Sequence, residues 1–194
     1  MNPLDAARKS LLLHACCGPC LTHPYQDLKS RFEVVSFFYN PNIQPEVERK
    51  NRLAEIRNLS AAWGVPLIEC DEDSEQWIQS IRGLEDEPEG GRRCLLCYGL
   101  RLEKTAREAV SRGMDCFSTT LTLSPHKRAD VIFPIGREIG ERLGIEFLAE
   151  DFKKKDGFKA SLAWSRDLGL YRQNYCGCLF SLREAERRMK KNLS

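Results

Sequence analysis

Seven of the nine cysteines in this chain fall in three tight groups: Cys16-Cys17-Gly18-Pro19-Cys20, Cys94-Leu95-Leu96-Cys97 and Cys176-Gly177-Cys178. An adjacent pair set against a CxxC pair offers four thiolates, the number that an iron–sulfur cluster or a structural zinc takes. Cys16 and Cys17 can serve one cluster by reaching different irons, whereas a single tetrahedral zinc takes a vicinal pair awkwardly. Thiolate-only ligation suits either metal. Cys176 and Cys178 are spaced for a strained, readily reduced disulfide, the redox-active kind more than the structural kind. Cys17-Gly18-Pro19-Cys20 also reads as a thioredoxin-like dithiol, one thiolate being stabilised by a helix N-terminus. That reading leaves Cys16, the second CxxC and the CxC unexplained. A phosphate-cradling loop would want several glycines; this one has a single Gly and a Pro without an N–H. Cys70 and Cys116 sit in apolar strands and read as packing residues. His14, His23 and His126 read as structural, and Trp63, Trp77 and Trp164 as core.

Strands and helices must alternate to position these groups. Short apolar or β-branched runs at residues 11–15, 34–39, 65–70, 114–119 and 145–148 predict strands. Helical spacing predicts helices over 45–63, 75–81, 98–112, 127–143, 158–168 and 179–192, several closed by glycine. Residues 85–91, acidic with Pro88, Gly90 and Gly91, predict an exposed loop leading into the CxxC. The alternation predicts an α/β fold of three layers: a central parallel sheet of about five strands, with a helical C-terminal region, in one domain over residues 1–194. In such sheets the site forms beyond the C-terminal strand edge. There the CCGPC segment, Asn40-Pro41-Asn42, Thr119-Thr120 and Glu150-Asp151 would converge.

Apolar residues at 42% and charged residues at 30% describe an ordinary globular protein. No apolar run is long enough to span a membrane. Met1-Asn2-Pro3-Leu4-Asp5 lacks the basic start of a secretion signal, so a reducing cytoplasm is expected, where clustered cysteines bind metal or catalyse. The net charge of +2 is unevenly spread: from Phe152 onward 11 Lys/Arg face 4 Asp/Glu, against 19 facing 24 before it. Lys153, Lys154, Arg172, Arg187 and Arg188 belong to this basic end. It suits nucleic-acid phosphates, or else is a solvated face.

Together, His14-Ala15-Cys16-Cys17-Gly18-Pro19-Cys20, Tyr39-Asn40-Pro41-Asn42-Ile43, Arg93-Cys94-Leu95-Leu96-Cys97-Tyr98 with Arg101-Leu102, Thr119-Thr120-Leu121 with Ser124-Pro125, Asp151-Phe152-Lys153-Lys154 and Tyr171-Arg172-Gln173-Asn174-Tyr175-Cys176-Gly177-Cys178 resemble the cobalamin-independent epoxyqueuosine reductases. The ordered CC…CxxC…YCGC combination is far more specific than any of its pieces. The resemblance implies a 4Fe–4S cluster on Cys16, Cys17, Cys94 and Cys97, a redox-active disulfide between Cys176 and Cys178, and no cobalamin. It also implies that Cys20 and Asp151 lie near the cluster, with room for a second mononuclear metal ion. The implied substrate is tRNA carrying epoxyqueuosine in its anticodon, the electron donor being external. Removing the epoxide oxygen takes two electrons and two protons, with Tyr98, Tyr175 or Asp151 as candidate proton donors. Phe38, Tyr39, Tyr98, Tyr171 and Tyr175 are candidates for receiving the unstacked base. The competing reading is a zinc-stabilised RNA-binding module without catalysis, which the basic end would suit equally.

Overall fold

The structure, a computed structural model, describes residues 8–70 and 74–191. The first five residues and residue 192, the expected end of the last helix, lie outside the described residues. Five strands, β1 (Lys9–His14), β2 (Phe32–Phe38), β3 (Leu67–Glu69), β4 (Cys116–Thr119) and β5 (Glu146–Phe147), form one sheet in the order β3-β2-β1-β4-β5. Every pairing in it is parallel. The helices are α1 (Gly18–Leu28), α2 (Glu46–Trp63), α3 (Ser74–Ser80), α4 (Arg92–Ser111), α5 (Ala129–Leu143), α6 (Gly157–Asp167) and α7 (Leu179–Lys191). None of them is long and apolar enough to cross a membrane.

β1 lies centrally and is apolar on both faces, as a covered parallel strand must be. Leu11 and Leu13 pack with Leu21 and Leu28 of α1 and with Ile56 and Leu59 of α2. Leu12, pointing the other way, packs with Leu102 and Ala106 of α4 and with Ile132 and Ile139 of α5. This alternation makes the three layers. α5 comes close to β5 because it carries glycine there: a Cβ on Gly136 would stand 2.5 Å from the Phe147 ring. The strand order reverses between β1 and β4, so a crevice opens beyond their C-terminal ends.

Some expectations differ from the fold. α4 begins at Arg92 and not at 98, so the CxxC lies within its first turns. The acidic loop before it is held from inside. The guanidinium of Arg93, 2% exposed, donates through Nη1 to the carbonyls of Leu84, Glu85 and Glu87. The loop itself is exposed or half-exposed as expected, while its backbone wraps a buried cation. Trp77 is buried, but Trp63 is only half-buried and Trp164 is 37% exposed. These two rings meet edge to face at 5.4 Å, and Tyr25 stacks on Trp63, forming a seam along the outer edge of the core. Cys116 is buried as expected. Cys70 follows the end of β3 and is half-buried.

Candidate metal centre and cavity

His14 ends β1 fully buried, with Nδ1 3.0 Å from Thr119 Oγ1 and Nε2 3.2 Å from the Tyr39 carbonyl. It ties β1 to β4 and to the segment after β2, a structural role. Burial, aided by the Arg101 charge, lowers its pKa to about 4, so the ring is neutral at physiological pH. Beyond it the chain turns into α1, and Cys16, Cys17 and Cys20 gather their sulfurs within 4.8 Å of one another. Cys17 Sγ stands 2.8 Å from Cys20 Sγ and 3.9 Å from Cys16 Sγ. The amide Nε2 of Gln173 donates to Cys17 Sγ at 3.1 Å. Hydrogen bonds from Cys17 and Cys20 hold Cys16 well below the usual thiol range. Burial and the Cys16 sulfur push Cys17 up to about 12. Three thiols this close cannot all ionise unless a cation sits among them.

Cys94 and Cys97 approach from α4, both buried. Cys94 Sγ accepts from the Gly90 N–H at 3.2 Å, while burial pushes its thiol up to about 11. The Cys176 sulfur lies near enough to raise both of these thiols further, and the Cys178 sulfur to raise Cys97. Cys97 and Cys178 also share a small apolar cluster with Trp77 and Ile81. The CxC segment therefore faces the CxxC, while Cys16, Cys17 and Cys20 form the tightest group. All nine cysteines are free thiols in this structure.

The CxC segment is clamped. Arg52 of α2, completely buried and paired with Glu48 at 2.7 Å, donates to the Cys176 carbonyl at 3.0 Å and the Tyr175 carbonyl at 3.2 Å. Gly177 adopts φ +134°, and a Cβ there would stand 3.0 Å from Ile43. Only glycine fits both the angle and the space. Cys178 Sγ accepts from the Ser181 N–H at 3.4 Å at the start of α7.

Buried cations surround the sulfurs. Arg101 and Lys127 have no carboxylate partner among the described residues, and Arg101 Nη2 has no hydrogen bond. Burial works against both charges, but the sulfurs of Cys97, Cys176 and Cys16 keep Arg101 charged. Cys176, Tyr98 and Cys16 do the same for Lys127. An all-sulfur donor set with unbalanced buried positive charge suits an anionic metal–thiolate group: the residues fit an iron–sulfur or polythiolate metal centre. Beside them opens a cavity of about 390 Å³ whose wall includes Cys16, Cys20 and Cys176.

A sequence model of the family described as epoxyqueuosine reductase QueH matches residues 11–184. The chain belongs to this family. A QueH of Thermotoga maritima is 38% identical over 179 residues, spanning 90% of this chain and 91% of that one. A QueH of Streptococcus pyogenes serotype M1 is 36% identical over 183 residues, spanning 91% and 72%. Among solved structures, the U34-tRNA thiolase NcsA of Methanococcus maripaludis with its [4Fe-4S] cluster superposes with a TM-score of 0.59, covering 96% of this chain and 68% of that one. At 13% identity this likeness is one of fold. QueH proteins are oxidoreductases, and the family match over residues 11–184 takes in the CGPC segment, so the chain as a whole is a QueH and not a thioredoxin.

The other candidates of this QueH chain are placed as follows. Tyr98 is buried, its phenol pushed up by burial, and it does not line the cavity. Asp151 also lies off the cavity wall, accepting from Lys153 Nζ at 3.0 Å. Lys153 further donates to the carbonyls of Thr122 and Lys127, each at 3.0 Å, so its ammonium is spent inside the protein and not free for RNA. Phe38 and Tyr39 are buried in the core and cannot receive a base. Tyr175 lines the cavity, and Tyr171 is exposed with its hydroxyl on Glu48. Arg188 reaches the cavity from α7; Arg187 and Lys154 are exposed. Arg172 is exposed too, but donates to Ser165 Oγ at 2.9 Å. Lys127 and Arg52 escaped the sequence reading, while Gln173 and Arg101 stood in the resembling motifs without a role. For Arg52 a signal existed: with Glu48 it falls on the stripe of Ile56 and Leu59.

Proposed function

We propose that this QueH-family chain reduces epoxyqueuosine to queuosine within the anticodon of tRNA, releasing the epoxide oxygen as water. The observation that carries this reading is the meeting of Cys16, Cys20, Cys176 and Lys127 on one cavity at the C-terminal edge of β1 and β4, with Cys97 of the CxxC packed beside Cys178. Cys16, Cys17, Cys94 and Cys97 would hold a 4Fe–4S cluster, and Cys20, beside Cys16 and Cys17, would help hold a second, mononuclear ion. When bound, the iron centre supplies single electrons and Lewis acidity.

Cys176 and Cys178 would serve as the two-electron relay. Closing a disulfide between them releases two electrons and two protons, the amounts that converting an epoxide to an alkene and water consumes. An external donor then reopens the bond. Cys176 stands at the cavity and Cys178 beside Cys97, with the Arg52 clamp keeping the pair in place. Arg187, Arg188, Lys154 and Arg172 would meet tRNA phosphates, while Tyr175 offers a face to the unstacked base. A reaction on tRNA belongs in the cytoplasm.

Anaerobically prepared protein should be brown, contain about four irons and four sulfides, and convert epoxyqueuosine to queuosine in tRNA when dithionite supplies electrons. Cys17→Ala or Cys97→Ala should remove the cluster. Full iron in both variants would reject this ligand set. A colourless zinc protein that binds tRNA without turnover would establish the RNA-binding module instead.

A further inference from the structure

The cavity has a polar wall that the thiols do not account for. Thr120, in the short turn directly after β4, is 1% exposed and lines the cavity, and its hydroxyl has no hydrogen-bond partner. Folded proteins seldom leave such a group unpaired. Lys127 lines the same cavity and is 8% exposed, with no carboxylate partner among the described residues. Both stand on a firmly held segment. Thr119 Oγ1 accepts from the Leu121 N–H at 3.1 Å. The Lys127 N–H donates to the Ser124 carbonyl at 3.2 Å, and its own carbonyl receives Lys153 Nζ at 3.0 Å.

We propose that Lys127 and Thr120 grip the epoxide oxygen of the substrate, an inference that rests on the function proposed above. An oxirane oxygen has lone pairs and no hydrogen, so it can only accept hydrogen bonds, and this wall offers an ammonium and a hydroxyl. The opposite polarity is also present. Gln173 turns its NH2 group to Cys17 Sγ at 3.1 Å and Cys20 Sγ at 3.9 Å, and its Oε1, lacking a partner, can only accept. The oxirane oxygen is thereby directed to one wall. During reduction both C–O bonds break as two electrons enter from the reductant, and the oxygen leaves with two protons as water. Negative charge gathers on that oxygen on the way, where fixed donors shielded from solvent act most strongly. The product alkene leaves no atom for the donors to hold.

The test compares the affinity of anaerobic, iron-loaded protein, without reductant, for tRNA carrying epoxyqueuosine and for the same tRNA carrying queuosine. The unsubstituted protein should prefer the epoxide form by about tenfold to a hundredfold, the range of a charge-assisted hydrogen bond. Lys127→Met and Thr120→Val should each erase most of that preference while queuosine-tRNA binds as before, and Thr120→Ser should restore it. Thr120→Val removes no charge, so it decides the matter even where Lys127→Met fails to hold iron: full preference in Thr120→Val overturns the proposal. An unsubstituted protein without any preference overturns it as well. Dithionite-driven reduction by the unsubstituted protein, run in parallel, separates the two levels. Turnover without preference sinks this inference alone, and no turnover with no preference sinks the underlying function too.

Discussion

Cys176 and Cys178 differ from the other clustered cysteines in what surrounds them: a glycine that must stay glycine, and an arginine clamp on the backbone. Serine at either position should therefore leave iron content intact but confine the protein to a single turnover. Iron analysis together with a product time course checks this, and loss of iron would move that residue among the ligands. His14 gives a pH signature. Its folded pKa of about 4 lies below the usual 6.5, so the unfolded chain binds the extra proton between these values. Stability from this group is complete above pH 6.5 and declines as pH falls toward 4, by about 3 kcal/mol in all. Urea titrations across that window should show the decline, and His14→Gln should flatten it. The cysteines announced themselves by spacing, and the resemblance followed from them. Lys127 and Arg52 did not, and Arg101 and Gln173 stood in the motifs without a role, because a polar residue becomes part of a site only when the fold encloses it, and enclosure has no local pattern.

The sheet was legible in its apolar runs, since a strand covered on both faces needs little else. Element ends were not. β5 keeps only Glu146 and Phe147 of the expected run, and α4 gains a turn and a half because Gly91 and the wrapped Arg93 let the helix begin early. Close approach is equally invisible before folding. Gly136 looks like an ordinary weak point in a helix, yet a methyl group there would press into the Phe147 ring. Gly136→Ala should thus destabilise the protein by about 1–3 kcal/mol despite its better helix propensity. A thermal melt checks the sign: a rise in Tm would show that α5 can shift away from β5 freely.

The charge division of the whole chain could be counted from the sequence, but not which basic side chains face outward. Lys153 turns in to three acceptors, whereas Arg187 and Arg188 stay exposed on α7 beside the cavity. Reversing the charge of both arginines should flatten the dependence of tRNA affinity on salt, lowering the log–log slope by roughly 2. Lys153→Gln should leave that slope unchanged and lower the melting temperature instead. Iron content should survive the α7 changes, since that helix follows every proposed ligand. An unchanged slope would return α7 to a solvated face with no RNA contact.

The three tryptophans sit in unlike places, which equips the protein with its own optical gauge. Trp63 and Trp164 share the outer seam, whereas Trp77 is packed with Cys97 and Cys178. An iron centre beside those sulfurs would drain the excited state of the Trp77 indole and spare the other two. Emission should dim as iron is loaded and brighten on chelation, and Trp77→Phe should abolish most of that swing. A single cuvette could then follow loading, loss and oxygen damage in real time, with no label attached.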